Sequence, residues 1–404
     1  MHNLDDYREI AGKELISEIY RRATGLHRKR VLHISSTHNG GSIAEILDSL
    51  VPLMNSVGIE TDWRIFNGSP DLFTISKKFR NALQGDSKNL SEKEKQLYVV
   101  GADEAFSPYY HMAHNCVIFH GPHPPPLIRV SRKRQPWIWR CHIDLTSPNK
   151  KLWKFLKGFI PNYDKVILSS EEYKKEDLPV EQRVIAPAID PLSLKNKDLS
   201  EKDILEYVRK AGIPTNKPVI TQVSRMDPWK DPEGLLEIFK RVREKVDCRL
   251  VYCYDMALDD PEGIGVYSKL YRKAKKLREK DDVVFVVGKD QILVNAIQRY
   301  STVVVQNSIR EGFCLAVTEA LWKEKPIVAT NVGGIPIQIS DGEEGFLVEP
   351  HNKEQFGKRI VEILKNPALA REMGTKGKET VRKNFLITRL LSDYLELLSD
   401  IVKF

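Results

Sequence analysis

A chain of 404 residues is longer than one ordinary hydrophobic core supports, so two globular units are expected. Its 41% hydrophobic and 29% charged residues are those of a folded globular protein and exclude a disordered or fibrous chain. No apolar run is long enough to span a bilayer and the N-terminus has no basic-then-apolar leader, so a cytoplasmic location is expected, while the net charge of +8 suits an anionic ligand without choosing among nucleotide, nucleic acid and lipid.

After a helical N-terminal stretch, residues 31–36 read as a buried strand, and residues 42–50 read as a helix with apolar spacing at Ile43, Ile46, Leu47 and Leu50. Between them Gly40 and Gly41 lack side chains, which lets the backbone approach a diphosphate or a reacting sugar; a plain strand-to-helix turn would use the same residues. Further strands are expected at 61–66, 116–120, 137–143, 165–169 and 184–187. The segment 187–196, with paired prolines and little periodicity, reads as the linker. The alternation then resumes with strands at 219–223, 249–254, 283–287, 302–306 and 326–329 and helices between them. The expected fold is therefore α/β, with two Rossmann-like doubly wound parallel sheets that bind ligands at the carboxyl ends of their strands, facing a central cleft. The five cysteines are odd in number and several lie in apolar runs, so structural disulfides are not expected.

The segment Ser308-Ile-Arg-Glu-Gly-Phe-Cys-Leu-Ala-Val-Thr-Glu319 begins a helix at the end of a strand. The amides of Gly312, Phe313, Cys314 and Leu315 would then be unpaired donors at a helix N-terminus, suited to diphosphate. Glu311 and Glu319 lie about two turns apart and suit hydroxyl-bearing rings, although acids also favour helix starts for their own sake. In Gln222-Val-Ser-Arg-Met-Asp-Pro-Trp-Lys230 the loop cations Arg225 and Lys230 can neutralise a departing diphosphate; the plainer reading pairs them with Asp227 and Asp231. His142 falls at the end of an apolar strand and Asp144 comes two residues later, so both can project to one side, while a hydrogen-bonded core histidine is the alternative and the spacing argues against a metal. The run Arg129, Arg132, Lys133, Arg134 reads as a solvated loop.

In order and spacing these motifs resemble retaining glycosyltransferases of family 4, which have the GT-B fold. Trp137-Ile-Trp-Arg-Cys-His-Ile-Asp-Leu145, Val223-Ser-Arg-Met-Asp-Pro-Trp-Lys230 and Ser308-Ile-Arg-Glu-Gly-Phe313 are most similar to trehalose glycosyltransferring synthases. The resemblance implies an N-terminal acceptor-side domain over 1–194, a nucleotide-sugar domain over 195–385, and a helix over 386–404 packing back on the first. It implies that Glu311 contacts the donor sugar, Glu319 the ribose, Arg225 and Lys230 the diphosphate, and His142 the sugar, with Gly40, Gly41 and Gly312 to Leu315 on the donor side. Asp144, His120 and His123 are the acceptor candidates. This chain reads His120-Gly-Pro-His-Pro where those synthases show His-Asp-Pro-Gln-Pro, which leaves acceptor choice open. Cys314 replaces a common Gly, and Ile335-Pro-Ile-Gln338 lacks a common acid.

The implied activity is retaining transfer of a hexose, glucose first, from a nucleoside diphosphate sugar to a small acceptor, with trehalose as a product. No metal or other cofactor is required, and a homodimer is left open. Neither nucleic acid nor integral membrane is expected as a partner. The rivals are another small or anionic acceptor, a sugar phosphorylase or epimerase on the same scaffold, a nucleic-acid binder and a sugar-nucleotide sensor.

Overall fold

The computed structural model describes residues 2–37, 41–109, 111–126, 135–255 and 261–402. Two compact units emerge, one formed by Met1–Ala188 with Phe385–Phe404 and the other by Ile189–Asn384.

In the first unit the strands are β1 (Arg30–Ser35), β2 (Glu60–Ile65), β3 (Cys116–His120), β4 (Trp137–Arg140), β5 (Lys165–Leu168) and β6 (Glu181–Val184). They form a parallel sheet in the order β2-β1-β3-β4-β5-β6. Fully buried β3, β4 and β5 carry apolar side chains on both faces, as a parallel sheet covered by helices requires. The last helix, Ile387–Ile401, returns to this unit. Arg22 donates to the Glu396 carboxylate at 2.7 Å, and Arg389 donates to the carbonyls of Ala186 and Pro187 at 2.7 and 3.1 Å.

In the second unit the strands are β7 (Val219–Arg225), β8 (Arg249–Asp255), β9 (Val283–Val287), β10 (Val303–Gln306), β11 (Ile327–Thr330) and β12 (Gly345–Val348). Their order is β12-β11-β10-β7-β8-β9, again with every pairing parallel. The chain runs outward from β7 to β9, then returns beside β7 as β10 and runs the other way. That reversal opens a crevice at the carboxyl ends of β7 and β10, the place where open α/β sheets take their ligands.

Two doubly wound sheets were expected and are found, with three local differences. β4 ends at Arg140, not residue 143, level with the end of its neighbour β3, whose last residue His120 pairs with Arg140. β6 precedes the expected segment 184–187: it is an edge strand of Glu, Gln, Arg and Val, and its polar surface hides it from a search for apolar runs. β12 was not anticipated, since a strand opening on Gly345 reads as a turn. That glycine is required by closeness, because an added Cβ would run into the Ile327 carbonyl oxygen of β11. No described helix is long and apolar enough to cross a membrane, and all five cysteines are unpaired.

The core of the first unit also encloses a polar knot. The His123 ring lies among Phe79 and Tyr98, with Nε2 2.6 Å from the Ser76 hydroxyl and Nδ1 2.7 Å from the Tyr98 hydroxyl. Burial lowers its pKa from 6.5 to about 3. The unfolded chain therefore takes up a proton between pH 6.5 and 3 that the folded chain refuses, so folding stability falls as pH drops through that window. The melting temperature is expected to decline across it, less steeply in His123→Gln than in the parent; identical slopes would contradict this.

Candidate functional site

The loops that leave β7, β10 and β11 are tied together by side-chain amides and hydroxyls. Gln306 Nε2 donates to the Val223 carbonyl at 2.8 Å, Gln222 Nε2 to that of Lys230 at 3.1 Å, and Asn307 Nδ2 to that of Asp231 at 3.1 Å. The Ile309 amide donates to the Trp229 carbonyl at 2.7 Å, and the Thr330 hydroxyl to the Ser308 carbonyl at 2.6 Å. These bonds satisfy buried backbone groups that no ladder reaches, and in doing so they fix the loops against one another.

Held in that frame, Lys230 and Glu311 form an ion pair, with side-chain exposures of only 14% and 11%. Ser308 donates to the same carboxylate oxygen at 3.3 Å. Burial disfavours the Lys230 ammonium and the nearby Arg225 repels it, yet Glu311 outweighs both and holds its pKa above that of an ordinary lysine. The plainer pairing of Lys230 with Asp231 does not occur. Asp231 caps the helix Pro232–Arg243 by accepting from the Gly234 amide at 3.0 Å. Arg225, at the end of β7, does take the plainer course: it contacts Asp227 at 3.0 Å and its side chain is 43% exposed.

The helix after β10 spans Leu315–Trp322, so Gly312 and Phe313 precede it and Cys314 is its cap residue. This corrects the expectation that all four amides from Gly312 to Leu315 belong to a helix terminus. Cys314 has φ 74°, the left-handed region that favours glycine and strains a larger residue. The turn at Gly333 and Gly334 packs against this segment: the Gly334 amide donates to the Glu311 carbonyl at 3.3 Å, and a Cβ there would lie 2.6 Å from the Gly312 carbonyl oxygen. Gln338, at the end of the segment 335–338, is buried and donates to the carbonyls of Phe313 and Gly334 at 2.5 and 3.1 Å. Its side chain organises the turn that faces the helix start, a role that an uncharged residue does not announce in the sequence.

Glu319, one face further along the helix, is buried. Its Oε1 lies 2.9 Å from Lys195 Nζ and its Oε2 accepts from Gln298 Nε2 at 3.2 Å. Neither partner belongs to any motif.

In the first unit the strand ends carry a row of imidazoles. His33 Nδ1 lies 2.8 Å from His120 Nε2, and His120 Nδ1 lies 3.1 Å from His142 Nε2. Burial lowers the pKa of all three, so the row is neutral near pH 7; neighbouring histidines and Arg140 add to this at His120, and Arg140 at His142. His120 has both nitrogens engaged, and so does His123, so these two acceptor candidates spend their polar atoms inside the unit. Asp144 does not lie on a strand with His142. It is buried and accepts from the Thr146 amide and hydroxyl at 2.8 and 2.6 Å. Gly41 opens the helix Gly41–Ser56 at φ 81°, a backbone that calls for glycine on its own account. Gly40 and the run from Arg129 to Arg134 lie outside the described residues.

Comparison with known proteins places these features in a family context. Residues 33–175 match the family described as "Trehalose synthase, N-terminal domain", and residues 203–380 match "Glycosyl transferases group 1". The chain is 44% identical to a trehalose synthase of Thermococcus litoralis, over 98% of this chain and 97% of that one. It is 39% identical to a trehalose synthase of Rubrobacter xylanophilus, over 99% and 97%. An α,α-trehalose-phosphate synthase (UDP-forming) from Burkholderia vietnamiensis shares the GT-B fold, with a TM-score of 0.74 at 14% identity, over 93% of this chain and all of that one.

Removing one member of the Lys230–Glu311 pair leaves a buried charge without its partner, which costs about 3 kcal/mol in comparable pairs. Lys230→Met is therefore expected to lower the melting temperature clearly, and adding Glu311→Gln to recover most of the loss. Additive losses in the double variant would show that the pair does not act as a unit.

Proposed function

The chain belongs to the trehalose synthase family of glycosyl transferases, and from that premise we propose that it transfers glucose from a nucleoside diphosphate glucose to a second glucose, retaining the anomeric configuration and producing trehalose. The observation that carries the reading is the Lys230–Glu311 pair at the point where the second sheet reverses direction. It sets a fixed cation beside a fixed carboxylate where an α/β sheet takes its ligand, and those are the groups a sugar diphosphate needs.

In this proposal Lys230 and Arg225 meet the diphosphate, with Arg225 exchanging Asp227 for phosphate oxygens. The amides of Gly312, Phe313, Cys314 and Leu315 line the approach to it. Glu311 accepts from hydroxyls of the transferred glucose and Glu319 from those of the ribose. His142, steadied by His120, is the sugar-contacting candidate of the first unit, and Asp144 its acceptor-side candidate.

The bond from the glucose anomeric carbon to the diphosphate oxygen breaks, and the acceptor hydroxyl oxygen bonds to that carbon on the same face. The hydroxyl proton passes to the departing phosphate oxygen. No side chain is assigned a covalent intermediate. The enzyme supplies orientation and meets charge that grows on the leaving group, and groups placed for growing charge raise turnover more than they tighten substrate binding.

Incubation with ADP-, UDP- or GDP-glucose plus glucose is expected to give equal amounts of trehalose and one nucleoside diphosphate, the product linkage being read by proton NMR. Formation of glucose 1-phosphate from trehalose and phosphate, without any nucleotide-dependent synthesis, would replace this reading with a phosphorylase.

Arg225→Ala is expected to lower kcat by about 100-fold, with the donor KM changed by less than about threefold. A rise in KM at unchanged kcat would assign Arg225 to ground-state binding alone.

A further inference from the structure

Within the second unit, Lys195 stands in a segment whose backbone is pinned on both sides of it. Asn295 Nδ2 donates to the carbonyls of Leu194 and Lys197 at 3.0 and 2.8 Å. Arg299 donates to the carbonyls of Asn196 and Lys197, both at 3.1 Å, and to the Asp198 carboxylate at 2.8 Å. Both residues lie on the helix Gln291–Tyr300. The Asn196 side-chain oxygen in turn accepts from Lys323 Nζ at 2.9 Å, and Lys323 also donates to Gln298 Oε1 at 2.7 Å. Gln298 is the residue whose amide holds Glu319 Oε2.

The consequence is a lysine whose position is set before any ligand arrives. Fixing a long flexible side chain costs conformational entropy, and an anchored backbone reduces what remains to be lost on binding. In the pair itself Glu319 is 1% exposed and Lys195 17% exposed, so the ammonium is the more accessible half.

A carboxylate only accepts hydrogen bonds, an ammonium only donates them, and a hydroxyl does both. Two hydroxyls on adjacent ring carbons can thus give one hydrogen bond to Glu319 and take one from Lys195, a match that an isolated carboxylate does not provide. We infer that Lys195 is a ribose-binding residue, forming with Glu319 an ammonium–carboxylate pair that recognises the vicinal diol of the donor nucleotide. This rests on the placement of the ribose at Glu319 proposed above, and it adds a contact from outside every recognised motif.

The test uses calorimetry on the full chain. ADP, UDP and GDP are titrated first, and the tightest of them is then compared with its 2′,3′-dideoxy form in the parent, Lys195→Met and Lys195→Arg. The parent is expected to prefer the diol-bearing nucleotide by about tenfold or more, as sites built around a ligand hydroxyl do. In Lys195→Met that preference is expected to shrink to about twofold, with affinity for the dideoxy form moved by less than about threefold, while Lys195→Arg keeps most of it. If Lys195→Met weakens both nucleotides equally, or leaves the preference intact, the role of Lys195 is overturned. If the parent shows no preference, it is the placement of ribose at Glu319 that fails, and if none of the three nucleotides binds, the donor assignment fails with it. Should Lys195→Met not fold, Lys195→Gln is judged by the same two criteria.

Discussion

Two opposite charges brought mostly out of water must stay together, and the second unit is arranged around that constraint. Lys230 arrives on the loop after β7 and Glu311 on the loop after β10. Separating them would leave either one buried and uncompensated, so the relative position of the two loops is set by electrostatics as well as by packing. The amides of Gln306 and Asn307 share the task by bonding to carbonyls across the same gap, while that of Gln222 holds the loop after β7 on its own strand. The outcome is a polar crevice whose charged groups are already in place, the condition under which electrostatic stabilisation of a transition state needs least rearrangement.

The first unit buries a different polar cluster, a row of imidazoles beside the Arg140 guanidinium. Its central strands are largely apolar on both faces, yet toward their carboxyl ends the unit carries the row His33, His120 and His142, kept neutral by burial. A buried imidazole is tolerable when uncharged, and His120 engages both His33 and His142. His123 follows the same rule in a separate knot with Ser76 and Tyr98.

How much of this could be read from the chain differs from residue to residue. Arg225, Lys230, Glu311 and Glu319 stand at strand or helix ends in short stretches with a recognisable spacing, so both their loops and their chemistry were visible. The partners of Glu319 were not. Lys195 lies in a segment that read as a linker and Gln298 on an amphipathic helix, each far from Glu319 in the chain and without a local pattern. Gln338, which holds the Phe313 carbonyl, is uncharged and carries no signal of that role. The differences in the strands have local causes: an edge strand made of polar and charged residues, a strand opening on glycine, and a strand that stops level with its neighbour β3.

Alternation of apolar strands with amphipathic helices, repeated twice, is a property of the sequence alone, because burying those patterns leaves few options but two doubly wound parallel sheets. The sequence likewise placed its charged loops after particular strands. Which cation meets which carboxylate was decided only by the tertiary structure. Strand order brings β10 beside β7 and so couples Lys230 to Glu311 and frees Asp231 to cap a helix, while the anchored segment around Asn196 carries Lys195 to Glu319. The physical reason is that pairing energies depend on distance and burial, and neither quantity exists until the sheet has formed.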